Sequence, residues 1–214
     1  MNNFDHIIWD WNGTIIDDAW LCVEIMNEVL REKHLNLIDL ESYRKNFCFP
    51  VKEYYKKLGF NFKKEEFKIS GLLFIKKYLN RMYEPEIYPG FIDLIKLLAS
   101  KGICHSILSA QDSNTLDIVT EHYKVRNFFE NIVGVNNQYA YGKIKEGIGL
   151  LEKVKHKKDR ILIIGDTVHD AEIATQLGIQ CLLLSCGHND ESQLSNTNYK
   201  IIDCHAKITN FVFS

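Results

Sequence analysis

Short apolar runs that end at a polar residue or a glycine recur along the chain, and they restrict its fold more than any other feature. Four of them stand out with the residues that follow: 6–9 before Asp10, 103–108 before Ser109, 161–164 before Gly165 and Asp166, and 181–184 before Ser185. Stretches with helical periodicity lie between and after them, at residues 91–100, 114–123, 145–154 and 170–177. Buried strands alternating with helices are typical of a mostly parallel sheet with helices on both faces. The sequence therefore predicts an α/β fold with a Rossmann-like sheet.

Residues 18–86 interrupt this alternation. They contain amphipathic helical patterns, at residues 20–31 and 67–82, and no convincing strand. Pro85 and Pro89 lie where the chain would return to the sheet. We therefore predict an α/β core formed by residues 1–17 and 87–214, with a small helical domain inserted at residues 18–86.

Charge and hydropathy exclude several classes of partner. The 26 Lys and Arg residues against 28 Asp and Glu give a net charge of −2, whereas nucleic-acid-binding domains normally carry a marked positive excess. No apolar run approaches the roughly 18 residues that span a membrane, and the N-terminal residues lack the pattern of a secretion signal. We expect a cytoplasmic protein that binds neither nucleic acid nor membranes.

The segment Asp10-Trp11-Asn12-Gly13-Thr14 places reactive groups directly after the first strand. Gly13 lets backbone amides approach an anion, Thr14 can donate a hydrogen bond to it, and Asp10 can act as a nucleophile or a ligand for a hard cation. An ordinary turn after a strand would use the same residue types. This motif alone leaves both interpretations open.

A second acidic motif, Gly165-Asp166-Thr167-Val168-His169-Asp170, follows another strand. Carboxylates at positions i and i+4 share a face if the helix begins near Thr167, and their repulsion favours a bound cation such as Mg²⁺. Simple helix capping by either carboxylate is the alternative. Ser109 and one of Lys143 or Lys145 could orient and neutralise a phosphoryl group, although strand-end serines and surface lysines are usually only solvated.

The order and spacing of these four pieces resemble the haloacid dehalogenase-like hydrolase superfamily. Its sheet domain carries an Asp-x-Asp-Gly-Thr loop, a Ser or Thr, a Lys and a Gly-Asp-x-x-x-Asp motif, and the resemblance covers essentially the whole chain. It is closest to the phosphoglycolate-phosphatase-like branch, in which a helical cap follows the first motif.

The resemblance implies a role for each matching position. Asp10 would be the nucleophile that forms an aspartyl-phosphate, Gly13, Thr14 and Ser109 would hold phosphoryl oxygens, and a lysine, with Lys143 favoured over Lys145, would neutralise charge. Magnesium would be bound by Asp10, the backbone carbonyl of Asn12, Asp166 and Asp170. The implied activity is hydrolysis of a small phosphorylated metabolite. Mg²⁺ and Lys143 would supply the positive charge that phosphoryl transfer needs.

Asn12 departs from the family pattern in a way that affects the chemistry. The family usually has an aspartate there as general acid and base, and a carboxamide has no useful pKa for either step. Three outcomes stay open: a slow hydrolase that prefers good leaving groups, a phosphatase whose acid is another residue such as His169, or a fold used for binding. A phosphotransferase or mutase is the alternative enzyme. The proline that usually follows the lysine is also missing.

The inserted domain contains a distinctive segment around Phe49 and Lys52. Two phenylalanines precede Pro50, and this region of related caps contacts the leaving group. Phe49 and Lys52 would then favour an anionic or partly aromatic leaving group. Burial of the aromatic side chains in the cap's own core is the alternative.

Overall fold

The computed structural model describes residues 3–135 and 143–214. Its strands in these ranges are β1 (His6–Trp9), β2 (Ile16–Asp17), β3 (Glu86–Ile87), β4 (Cys104–Asp112), β5 (Asn131–Val135), β6 (Ile161–Gly165), β7 (Gln180–Leu184) and β8 (Lys200–Ile202). The helices are α1 (Ala19–Glu32), α2 (Leu40–Asn46), α3 (Val51–Lys57), α4 (Phe67–Arg81), α5 (Phe91–Ser100), α6 (Ser113–His122), α7 (Lys143–Lys153), α8 (Val168–Leu177), α9 (Glu191–Leu194) and α10 (Ile208–Val212). Short 3-10 turns occupy Arg126–Phe128, Lys158–Arg160 and His205–Lys207.

Six strands form a parallel sheet in the order β5-β4-β1-β6-β7-β8. Alternate residues of β1 point to opposite faces. Ile7 and Trp9 pack in one hydrophobic cluster with residues of α5, α6 and α10, while Ile8 packs in a second cluster with residues of α7 and α8. Helices thus cover both faces, and the predicted fold class is confirmed.

The predicted strand positions are close to the observed ones, with one informative difference. β4 continues to Asp112, beyond the predicted end at residue 108, and its pairing with β5 shifts register between Leu108 and Asp112. Such an irregularity commonly redirects side chains near a functional site, and here it contains Ser109.

Helices α1 to α4 form a separate unit with its own hydrophobic cluster, which includes Met26, Tyr43 and Tyr54. The chain leaves and re-enters the core through one short antiparallel pair, in which Ile16 faces Ile87 and Asp17 faces Glu86. We propose that residues 18–86 are an inserted cap domain, divided from the core at this pair. No helix in the described ranges is both long and apolar enough to cross a membrane.

Two buried histidines in the sheet predict an acid-dependent loss of stability. Burial lowers the pKa of His6 to about 4 and that of His105 to about 3. Below about pH 6.5 the unfolded chain therefore binds protons that the folded protein does not. This contribution to stability is fully present above about pH 6.5. Below that pH, each histidine should lower the free energy of unfolding by up to about 1.4 kcal/mol per pH unit.

Urea denaturation of the wild type and His105→Gln at several pH values between about 7 and 5 tests this prediction, since the difference isolates one histidine. The variant should show a shallower pH dependence by about one proton. Parallel pH profiles for the two proteins would contradict it.

Candidate active site

Asp10 lies at the carboxyl edge of the sheet, directly after β1, which is flanked by β4 and β6. Its backbone N–H donates to the carbonyl of Ile164 over 2.9 Å, so the pairing with β6 continues past the end of β1. The side chain is 11% exposed and lines a cavity between the core and the helical cap. The chain runs from β1 to β4 on one side and returns to β6 on the other, and ligands bind at such reversal points.

Lys143 begins α7 and is buried beside Asp10. Its Nζ atom lies 2.9 Å from Oδ1 of Asp10 and donates to Oδ1 of Asp170 over 2.6 Å. Burial opposes the charge on this ammonium, but the two carboxylates raise the pKa of Lys143. Lys145 is exposed, so the lysine beside Asp10 is Lys143.

Asp166 and Asp170 are fully buried. The Asp166 carboxylate accepts hydrogen bonds from the Thr14 hydroxyl over 2.7 Å and from the backbone N–H of His188 over 2.6 Å. Asp170 accepts from the backbone N–H and the hydroxyl of Thr167, at 3.0 and 2.7 Å. Both carboxylates are therefore fixed in position before any ligand binds.

Glycine is required at two places around Asp166. Gly13 has a φ of +72°, and a Cβ atom there would lie 2.2 Å from Oδ2 of Asp166. A Cβ atom on Gly187 would lie 2.2 Å from the same oxygen. Both distances are too short for any side chain. The two loops can therefore pack around the carboxylate only if positions 13 and 187 are glycine.

Asp10, Asp166 and Asp170 offer carboxylate oxygens within 4.8 Å of one another. Burial raises the pKa of Asp10 to about 7; Lys143 opposes this shift, and the other two carboxylates add to it. Burial also raises the pKa of Asp166 to about 6, with His188 opposing and Asp170 adding. Burial acts in the same direction on Asp170, but Lys143 outweighs it and lowers the pKa of that carboxyl.

These groups fit a divalent cation chemically. Three carboxylates face one ammonium, and hard carboxylate oxygens are the ligands that Mg²⁺ prefers. Oδ1 of Asp10 contacts Lys143 but accepts no well-directed hydrogen bond from the described residues. A cation bound here would offset the excess negative charge.

Ser109, Thr14 and Gly13, which were predicted to hold phosphoryl oxygens, have different surroundings. Ser109 is buried, lines the cavity, and accepts a hydrogen bond from the backbone N–H of Gln111 over 3.1 Å, which leaves its own proton available. Thr14 is also buried, but its hydroxyl donates to Asp166, and neither Thr14 nor Gly13 is among the residues that line the cavity.

Asn12 faces the cap through a buried polar network. Its Nδ2 donates to Oδ2 of Asp18 over 2.7 Å and contacts the Tyr78 hydroxyl at 2.9 Å. Asp18 also accepts from the Tyr78 hydroxyl over 2.9 Å and from the Gly13 backbone N–H over 2.9 Å. The carboxamide is therefore anchored as a hydrogen-bond donor to Asp18.

His188 completes this network from the core side. Its Nε2 lies 3.2 Å from Oδ1 of Asp18, and its Nδ1 lies 2.8 Å from the Tyr43 hydroxyl. Burial disfavours the charged imidazolium, but Asp18 outweighs this and raises the pKa of His188 to about 9. In turn, His188 lowers the pKa of Asp18 against the opposing effect of burial. Core and cap thus meet through a buried ion pair next to Asn12.

The cavity has a volume of about 430 Å³, and Asp10, Asn12, Ser109 and Phe49 all line it. Lys52 does not; its ammonium lies 5.8 Å from the centroid of the Phe62 ring. The imidazole of His169 stacks on the Phe49 ring, with ring centroids 4.7 Å apart, and contacts Glu172. His169 is also not among the residues that line the cavity.

Comparison with known proteins agrees with this geometry. The sequence model of the family described as haloacid dehalogenase-like hydrolase matches residues 7–184. The chain belongs to this family. A phosphoglycolate phosphatase from Synechococcus elongatus is 22% identical over 190 residues, which is 88% of this chain and 87% of that protein.

Solved structures of the haloacid dehalogenase-like fold superpose over nearly the full length. A haloacid dehalogenase-like hydrolase from Streptococcus pneumoniae has a TM-score of 0.84 at 21% identity, covering 100% of both chains. A predicted phosphatase from Clostridium acetobutylicum has a TM-score of 0.79 at 19% identity, covering 98% of each. The fold of this haloacid dehalogenase-like chain is therefore shared across its whole length.

Sequence reasoning identified the acidic and basic groups of this haloacid dehalogenase-like site but missed the Asp18–His188 pair. The visible signal was the polar loop Ser185-Cys186-Gly187-His188, which follows β7 just as Asp10 follows β1. Nothing local marks Asp18 as its partner, because the two residues are far apart in the chain and meet only where the cap contacts the core.

Proposed function

We propose that this protein is a magnesium-dependent phosphatase that hydrolyses a small phosphorylated metabolite through an aspartyl-phosphate on Asp10. The supporting observation is the Asp10 carboxylate, which lines the cavity between core and cap and lies close to Lys143 and two further carboxylates. The homologous phosphatases, which include the Synechococcus phosphoglycolate phosphatase, support the same reaction class.

Asp10 carries out the covalent step in this mechanism. One of its oxygens attacks phosphorus, the bond between phosphorus and the leaving oxygen breaks, and the alcohol departs after gaining a proton. Water then attacks the aspartyl-phosphate, releasing inorganic phosphate and restoring Asp10. Lys143 balances charge on the nucleophile, and Ser109 donates a hydrogen bond to a phosphoryl oxygen.

Asp10, the backbone carbonyl of Asn12, Asp166 and Asp170 would hold the Mg²⁺. When bound, the cation would supply positive charge that reduces repulsion between an anionic nucleophile and an anionic substrate. Phosphate release from a panel of phosphorylated sugars, nucleotides and short acids, with Mg²⁺ and with a chelator, tests this function. Release that needs Mg²⁺ supports it; no release from any substrate contradicts it.

Asn12 makes the protonation of the leaving alcohol the weak step. Its carboxamide donates to Asp18 and cannot act as an acid. We therefore expect slow hydrolysis of alkyl phosphates and faster hydrolysis of aryl phosphates, whose leaving groups need no proton.

Asn12→Asp should raise the rate on an alkyl phosphate by on the order of 10²-fold, with a much smaller gain on an aryl phosphate. The new carboxylate would face Asp18, so the double variant Asn12→Asp/Asp18→Asn exchanges the amide and the acid across the same hydrogen bond. The measurement is kcat for both substrates in the three proteins. An alkyl rate that stays at the wild-type level in both variants would refute the missing-acid explanation.

Two alternative functions predict different experimental results. A phosphotransferase or mutase would move the phosphoryl group to an added alcohol, since slow attack by water lets another acceptor compete. A binding domain would neither turn over substrate nor bind a phosphoryl-mimicking metal fluoride at Asp10 in the presence of Mg²⁺. Analysis of products with acceptor alcohols, together with metal fluoride binding, separates the three.

A further inference from the structure

The cap side of the cavity is built from aromatic rings. Seven aromatic side chains from the described residues of the cap line it, among them Phe47, Phe74 and Tyr54. The ring centroid of Phe47 lies 5.4 Å from that of Phe49 and 5.4 Å from that of Tyr54, and in both pairs the rings are nearly perpendicular. Rings that support one another in this way form a preformed wall that favours an apolar or aromatic ligand.

The charges of the cavity oppose a second anionic group on the substrate. No lysine or arginine is among the described residues that line it, while Asp18 and Asp112 add carboxylates to that of Asp10. The imidazole of His188, which also lines the cavity, is already occupied by Asp18, with Nε2 3.2 Å from Oδ1. A carboxylate on the leaving group would lose its hydration without gaining a cationic partner.

We propose that the cavity selects phosphomonoesters whose leaving group is neutral and carries a ring. The proposal rests on the phosphatase function above, because it places the phosphoryl group at Asp10. The proposed substrate selection also differs from that of a phosphoglycolate phosphatase. A two-carbon acid would leave most of the 430 Å³ cavity unfilled and would bring a second negative charge to it.

Equilibrium binding of phosphonates tests the selection without requiring turnover. Benzylphosphonate carries a neutral ring and phosphonoacetate carries a carboxylate, and titration calorimetry of the full chain with Mg²⁺ gives both dissociation constants. We expect benzylphosphonate to bind at least about tenfold more tightly. Equal affinities, or tighter binding of phosphonoacetate, would overturn the proposal.

Phosphate release from acetyl phosphate is measured on the same preparation, which separates the two hypotheses. If acetyl phosphate is hydrolysed and neither phosphonate binds, or phosphonoacetate binds better, the phosphatase stands and the cavity proposal fails. If benzylphosphonate is preferred but no phosphate is released from any substrate, ligand selection stands and the phosphatase fails.

Discussion

Asp10→Asn should abolish phosphate release, with a loss in kcat of about 10⁴-fold or more, because an amide cannot form the aspartyl-phosphate. The variant should remain folded. Burial and two nearby carboxylates already raise the pKa of Asp10 to about 7, so a neutral side chain of the same shape relieves repulsion. Single-turnover assays and thermal denaturation measure the two effects separately.

Asp17→Asn is the matched control, since Asp17 lies on β2 at the start of the cap and outside the cavity lining. It should keep activity near the wild-type level. Retention of a tenth or more of the activity by Asp10→Asn would show that Asp10 is not the nucleophile, even if the protein is a phosphatase.

Lys143→Met should damage both stability and activity. The side chain is buried and contacts Asp10 and Asp170, so its loss leaves two buried carboxylates without their ammonium. Removing one partner of a buried ion pair typically costs about 3–5 kcal/mol of unfolding free energy. Because the pKa values of the uncompensated carboxylates would rise in the folded variant, the destabilisation should grow as the pH rises from about 4, where the unfolded chain ionises, and level off above the raised values.

Lys145→Met provides the matched control two residues along α7, where the side chain is exposed. It should change the unfolding free energy by less than about 0.5 kcal/mol and leave kcat unaffected. Urea denaturation with phosphate-release assays compares the two variants. Similar small effects at both positions would remove Lys143 from the site.

Local pattern was sufficient to predict the sheet and the side chains at its edge. A run such as 6–9 is too short and too apolar for a surface helix, and the residue after a buried parallel strand necessarily lies at the carboxyl edge. Asp10 and Asp166 could therefore both be placed at this edge from sequence alone. The structure shows that the strands they follow, β1 and β6, are adjacent. Resemblance to a known family then added the expected roles.

The choice between Lys143 and Lys145 shows where local pattern stops. Residues two apart on a helix point to nearly opposite sides, and the sequence favoured Lys143 only for its position nearer to the end of the preceding strand. Packing of α7 against the sheet decides it, by burying Lys143 against Asp10 and exposing Lys145. Phe49 and Lys52 separate in the same way, with Phe49 on the cavity wall and Lys52 beside Phe62.

By itself, the sequence determined the α/β class and the carboxylates at the strand ends, because periodicity and strand ends are short-range features. The family came from its resemblance in four ordered motifs. Tertiary structure alone decided the Asp18–His188 pair, the anchoring of Asn12 and the aromatic, lysine-free lining of the cavity among the described residues. These features arise where the cap meets the core. Their partners are distant in the chain, and their ionisation and contacts depend on the water that packing excludes.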